Sequence, residues 1–149
     1  MLVSLVLCLT AAAVCAAGNP LMGTWKLNPG KSKLRPEMAK NSTVSYTAKG
    51  DKIAVTIDGT DKDGKAFHSV WVGKFDGKAY RVKNHPTYDA VTYRMVNDRT
   101  NDITASKNGK VVWSGKITVS ADGKSRVVTI NGTDEKGKKF KGKAVYDKV

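Results

Sequence analysis

The chain has 149 residues, 26 of them basic and 13 acidic, for a formal charge of +13, and 40% are hydrophobic. That is enough for one domain with its own core and too little for two ordinary ones. The two cysteines, Cys8 and Cys15, both fall near the start, so a disulfide framework for the remainder is excluded and the core must hold the fold unaided.

Met1 to Ala17 contains no charged side chain, Leu2 to Leu9 is an apolar run, and Ala16 and Ala17 are small residues at cleavage positions. A spanning helix needs about twenty apolar residues, and Gly18-Asn19-Pro20 stops this run early. Residues 1–17 are therefore read as a signal peptide and 18–149 as a single exported domain, periplasmic or secreted. A lipid anchor on Cys15 is the alternative, disfavoured by Val14 before it.

From residue 23 onward, turn signals recur: Gly50-Asp51, Asp63-Gly64, Asp76-Gly77, Asn108-Gly109, Asp122-Gly123 and Lys136-Gly137. Asp-Gly and Asn-Gly supply the positive φ angles of tight hairpin turns. Between them, apolar residues alternate with polar ones, as in Ile53, Val55 and Ile57 against Lys52, Thr56 and Asp58. Strands are predicted at Gly23–Asn28, Ser42–Ala48, Lys52–Asp58, Ala66–Lys74, Lys78–Val82, Ala90–Val96, Asp102–Lys107, Lys110–Ser120, Ser125–Asn131 and Lys139–Asp147. One helical turn is expected near Pro36-Glu37-Met38-Ala39, where Pro suits the first helical position. The fold class is all-β, and eight to ten antiparallel strands can remove their edges by closing into an up-and-down meander barrel. A two-sheet sandwich shares the alternation but needs longer crossing connections.

The strands contain a repeat. Val55 to Phe67 aligns without a gap on Val128 to Phe140, with nine of thirteen residues identical and a period of 73. One hairpin is used twice, and the period suggests two similar halves of one sheet.

Alternation places Trp25, Leu27, Val44, Tyr46, Ile53, Val55, Ile57, Phe67, Trp71, Phe75, Val91, Tyr93, Met95, Ile103, Val111, Trp113, Ile117, Val119, Val128, Ile130, Phe140 and Tyr146 on the inward face. Small residues share it: Ala48, Ser69, Gly73, Ala105, Gly115, Gly142 and Ala144. Large beside small can leave a cavity, or the two can interdigitate into a solid core, and the sequence leaves both open. Arg126 has the inward parity too. Buried, it would need a carboxylate from the protein or a ligand; at the strand's start, just after Gly123-Lys124, its head can instead reach solvent, and that position favours solvent.

The excess of Lys and Arg has two explanations. Scattered at turns and on edge strands, Lys keeps sheets from pairing with their neighbours; as a basic outer face, it attracts anionic partners. Export argues against nucleic acid as the partner. His68 falls on an outward face and His85-Pro86 in a turn, both read as solvated, so neither points to zinc. No Gly-x-Ser-x-Gly elbow and no Gly-rich phosphate loop before a helix is present, and no cofactor is expected.

Gly23-Thr24-Trp25-Lys26-Leu27 at the start of a meander barrel resembles the first-strand signature of the calycin superfamily, the lipocalins, avidins and intracellular fatty-acid-binding proteins. The chain also resembles uncharacterised exported bacterial proteins that begin this way and have Asp-Gly-Lys turns. The resemblance implies a lipocalin-like or fatty-acid-binding-protein-like barrel that carries a ligand, with the Trp closing one end. Three features differ from those families. Pro29 to Lys40 has no room for two helices, Ala144-Val145-Tyr146 keeps the Tyr of an Arg-x-Tyr clamp without its Arg, and the Arg that packs over the first-strand Trp is missing from the last strand.

The expected function is that of an exported, non-enzymatic carrier of a small apolar or amphipathic molecule, those with an acidic head included. Trp25, Tyr46, Trp71, Tyr93, Trp113, Arg126 and Tyr146 are its candidate ligand-binding residues. The alternative is a filled-core barrel whose basic surface meets anionic lipid headgroups of a membrane surface, lipopolysaccharide or polyanions. The reading of residues 1–17 is checked by the intact mass of exported protein, which is expected to begin at Ala17 or Gly18; a mass with an acylated Cys15 would make the chain membrane-anchored instead.

Overall fold

The computed structural model describes residues 18–149, so the signal-peptide reading and Cys15 lie outside the described residues. Ten strands follow one another: β1 (Gly23–Leu27), β2 (Lys40–Lys49), β3 (Lys52–Thr60), β4 (Ala66–Gly73), β5 (Asp76–Lys83), β6 (Ala90–Asn97), β7 (Thr100–Lys107), β8 (Lys110–Val119), β9 (Ser125–Thr133) and β10 (Lys139–Lys148). Each pairs antiparallel with the next, and β1 pairs with β10, closing an up-and-down barrel. Alternating turns give it two ends. The β2–β3, β4–β5, β6–β7 and β8–β9 turns lie at the end with the described chain termini, called here the terminal end. The other turns and the β1–β2 connection lie at the opposite, lid end.

Closure rests on a short strand. Trp25, Lys26 and Leu27 face Lys148, Asp147 and Tyr146, and the pairing then skips a 3-10 turn at Pro29–Lys31, capped by the Asn28 side chain, to resume where Lys33 exchanges two backbone hydrogen bonds with Lys143. Ser32 fills the interruption, its hydroxyl accepting from Val145 N–H and donating to Asn28 O. The helical turn thus forms at Pro29 and not at Pro36, where Met38 N–H bonds to Arg35 O in an isolated turn. Proline serves in both places, but only at Pro29 does an Asn cap precede it.

The duplicated hairpins have the same structure. In β3–β4 the Asp61 carboxylate accepts from the N–H groups of Asp63 and Lys65, and in β9–β10 Asp134 accepts from those of Lys136 and Lys138. Gly64 and Gly137 take φ of 81° and 79° at matching turn positions, a conformation that glycine adopts without strain. Gly59 faces Phe67 and Gly132 faces Phe140 across the strand pair. In both copies the phenyl ring lies where a glycine side chain would otherwise be. Val55, Ile57, Val128 and Ile130 are all buried in the common interior. The repeat is of the hairpin and not of a half-barrel, since β3 and β9 are six strands apart in a barrel of ten.

Two of the large residues in the predicted inward set are exposed. Met95 is 50% and Val111 58% exposed. In β8, Ala105 faces Trp113 while Ser106 faces Val111, so Val112 is an extra residue. Such a bulge reverses side-chain parity beyond it, and Val112 packs on the core in place of Val111. Met95 keeps the inward parity of Tyr93, facing the buried Asn101, but sits near the β6–β7 turn at the terminal end and is exposed there.

Among the predicted small inward residues, Ala48 is exposed near the end of β2, and the space beside the glycines is occupied. A side chain at Gly73 would meet the Tyr80 and Trp71 rings, one at Gly115 would strike the Thr129 carbonyl at 1.7 Å, and Gly142 has Leu34 and Ile130 at 3.6 Å. Large and small therefore interdigitate. Truncating Ile57 or Ile130 to Ala is expected to cost about 2–5 kcal/mol in denaturant titration. Gly115→Ala should destabilise as well, despite adding only a methyl group, because the neighbouring carbonyl is backbone and cannot rotate away.

Candidate functional site

At the terminal end, Trp25 is fully buried, its indole N–H donating to Leu21 O at 2.8 Å. Over it lies Arg126, brought inward from β9 by the parity it shares with Val128. Its guanidinium carbon is 5.3 Å from the Trp25 ring, 5.2 Å from Tyr46 and 4.4 Å from Tyr146. The side chain is 2% exposed, so the solvent-facing placement that its position at the strand start favoured is wrong. Three aromatic faces replace the water it loses, and register holds it inward, because Tyr146 and Val119 flank it in the ladder. Hence a cation does sit over the first-strand Trp, supplied by the penultimate strand. Lys148 Nζ adds a second at 5.2 Å.

Arg126 forms no ion pair among the described residues. One NH group donates to Tyr46 Oη at 2.7 Å, and Nε has no partner. Because the Tyr46 oxygen accepts from Arg126, its own proton is free to point elsewhere; Tyr93 Oη is 3.4 Å away. Burial raises the Tyr93 pKa well above the ordinary phenol value and that of Tyr146 to about 12. Both phenols keep their protons at neutral pH and are hydrogen-bond donors.

Beyond Tyr46 the barrel encloses a cavity of about 70 Å³. Of the seven candidate residues, Tyr46, Trp71, Tyr93, Trp113 and Tyr146 line it; Trp25 and Arg126 do not, and close the terminal end behind Tyr46 and Tyr146. Trp71 is fixed by donating its indole N–H to Val91 O at 3.0 Å and by edge contact with Tyr93. Trp113 is half-buried at the other end.

That other end is shut by side chains for which the alternation gave no signal. Tyr88, in the connection between β5 and β6, is buried over the cavity, meets Trp113 edge-on at 5.9 Å and stacks on His85 at 3.6 Å. His85 in turn contacts Phe67, and its Nε2 lies 3.2 Å from the Asn41 side-chain oxygen. Tyr146 Oη donates to Asn41 O at 2.9 Å. Asn41 and Tyr88 thus belong to the lining; a connection without period-two repetition cannot reveal this in sequence. His85 is half-buried in this lid and not solvated as expected. His68 is exposed, with Nδ1 2.6 Å from Asp58.

Among the described residues no group of three His, Cys, Asp or Glu side chains could hold a metal ion. The arrangement offers instead an aromatic chamber with phenol donors, a cation behind them and a closed lid.

No protein-family model and no curated protein matches the sequence. Solved structures similar in overall path include two bound to DFHBI. One is a redesigned beta barrel, mFAP1, bound to DFHBI, with 14% identity and a TM-score of 0.47 over 90% of this chain and 100% of that one. The other is EF1p2_mFAP2b bound to DFHBI, with 12% identity and a TM-score of 0.48 over 89% and 97%. The fold and site define a closed ten-stranded antiparallel barrel around a small aromatic cavity.

Burial in the lid lowers the His85 pKa from 6.5 to about 3. A depressed folded-state value means that the neutral ring's contribution is complete above about pH 6.5 and is lost as pH falls toward 3. The denaturation midpoint is therefore expected to drop between pH 7.5 and 5, above the carboxylate range. His85→Gln should flatten the profile in that window; an unchanged drop would assign it to another group.

Proposed function

We propose that this chain is an exported, non-enzymatic barrel that binds a small apolar or amphipathic molecule, with an acidic head group held by the phenols that Arg126 backs. Arg126 carries the reading: 2% exposed and without a carboxylate partner among the described residues, it donates to the Tyr46 hydroxyl on the cavity wall. An anionic head beside Tyr46 and Tyr93 would take two phenol hydrogen bonds and feel that uncompensated charge at low dielectric. Ligand acid and protein cation would then compensate one another through Tyr46, not by direct contact.

Size sets a limit. An apolar cavity of about 150 Å³ holds benzene, so the 70 Å³ of the closed chamber admits a head group or a few heavy atoms. A longer ligand must displace Tyr88 and His85 and leave its tail at the lid end. The same small volume, with the glycine sites filled, favours a second reading, a filled-core module whose basic surface meets anionic lipid headgroups, lipopolysaccharide or polyanions.

The two separate in a thermal-shift and Trp-fluorescence titration with short and long carboxylic acids and their neutral esters. An acid at a hundred times its dissociation constant is expected to add about 2.7 kcal/mol of stability. Arg126→Met, which keeps volume, should weaken acids more than esters. Equal losses would take Arg126 out of recognition. Absence of any shift with acids or esters would favour the filled module.

A further inference from the structure

We infer that the outer face of β8, β9 and β10 is a docking groove for a linear anionic polysaccharide. The inference deepens the second reading above, giving the basic surface a partner, and is independent of the cavity. Lysines that protect sheet edges are not needed here, because the closed barrel has no edges to protect. Yet Lys139, Lys141 and Lys143 occupy successive exposed positions of β10, about 6.8 Å apart at two residues per repeat. Lys33 joins them through its bridge to Lys143.

Among the described residues no carboxylate lies within 4.0 Å of any of these four ammonium groups. The acid nearest in sequence with a basic partner, Asp134, is turned to Arg35 at 3.7 Å. The facing positions on β9, Thr133, Asn131 and Thr129, carry no charge. A stripe of like charges with no internal compensation repels itself and attracts an external anion.

Lys139 and Lys141 also line an open groove of about 570 Å³, together with Val111, Val112, Ser114 and Asn131. The β8 bulge that turns Val111 outward, 58% exposed, supplies its apolar part. Ammonium, amide, hydroxyl and aliphatic surface side by side suit a sugar chain, which presents anionic groups, hydroxyls and apolar ring faces together. Polyphosphate has no apolar face. A single-stranded nucleic acid needs free aromatic faces to stack on, and here Arg35 lies over Phe140 while Trp113 packs against Tyr88. A flat bilayer fits a concave groove poorly.

The test uses the full mature chain and fluorescent heparin oligosaccharide, titrated across a salt series. Lys139→Gln, Lys141→Gln and Lys143→Gln combined should weaken binding about tenfold or more and flatten the salt slope by roughly three. Lys49→Gln, Lys52→Gln and Lys124→Gln combined, at the terminal end, remove the same charge and should cost less than about twofold. Val111→Ser, which leaves the charge unchanged, should weaken heparin binding by removing the apolar contact. Equal losses from the two triple variants would overturn the groove while leaving a basic surface that binds polyanions by net charge. Polyphosphate bound as tightly as heparin, or phosphatidylglycerol vesicles bound more tightly through the same three lysines, would overturn the polysaccharide as partner.

Discussion

The hydrogen bonds between β1 and β10 join the two ends of the described chain, and the interior exists only because they form. A meander of ten strands left open would expose an unpaired backbone edge on each side. Closing it requires a five-residue strand to pair along β10, and the chain manages this with the Pro29–Lys31 turn, the Ser32 hydroxyl and the Lys33 bridge. Once the wall is continuous, alternation alone assigns inside and outside, except at the bulges.

Closure also explains how little space remains inside. A ten-stranded barrel is wider than an eight-stranded one, and width alone would leave a void. Here the glycine positions draw neighbours in: Phe67 and Phe140 lie over Gly59 and Gly132, Tyr80 lies over Gly73, and the Thr129 carbonyl takes the place beside Gly115. What is left is the short aromatic chamber between the Arg126 layer and the Tyr88 lid. Wall strength is not uniform around it, because β4 and β5 share two register pairs, Val70 with Lys83 and Trp71 with Val82. Tyr80, packed edge-on against Trp71 at 5.6 Å, covers that thin seam.

Arg126 is the costly element in this design. A buried guanidinium without a counterion loses hydration that three aromatic rings and one phenol only partly restore. Asn101 and Ser69 likewise each bury an unpaired oxygen. A barrel selected for stability alone could place an apolar residue at 126, so this charge is the feature on which the proposal of an anionic ligand rests. Outside, the lysines of β10 pose the same question in water, where they cost less.

The sequence by itself determined the class of fold, the likeness of the two hairpins through nine identities in thirteen positions, and most of the core, because side-chain alternation and Asp-Gly turn chemistry are local. It also brought Tyr46, Trp71, Tyr93, Trp113 and Tyr146 to one chamber, since parity on a closed sheet points to one interior. Tertiary structure alone decided the rest. Whether Arg126 lay in water or over Trp25 depended on rings from β1, β2 and β10, distant in sequence. The bulge that turns Val111 outward has no sequence period to betray it, and the lid of Tyr88 and His85 comes from a connection with no period at all. How much of the interior is left as a chamber was set by contacts across strands, because a glycine reads in sequence as an absent side chain, and only packing shows whose atoms stand in its place.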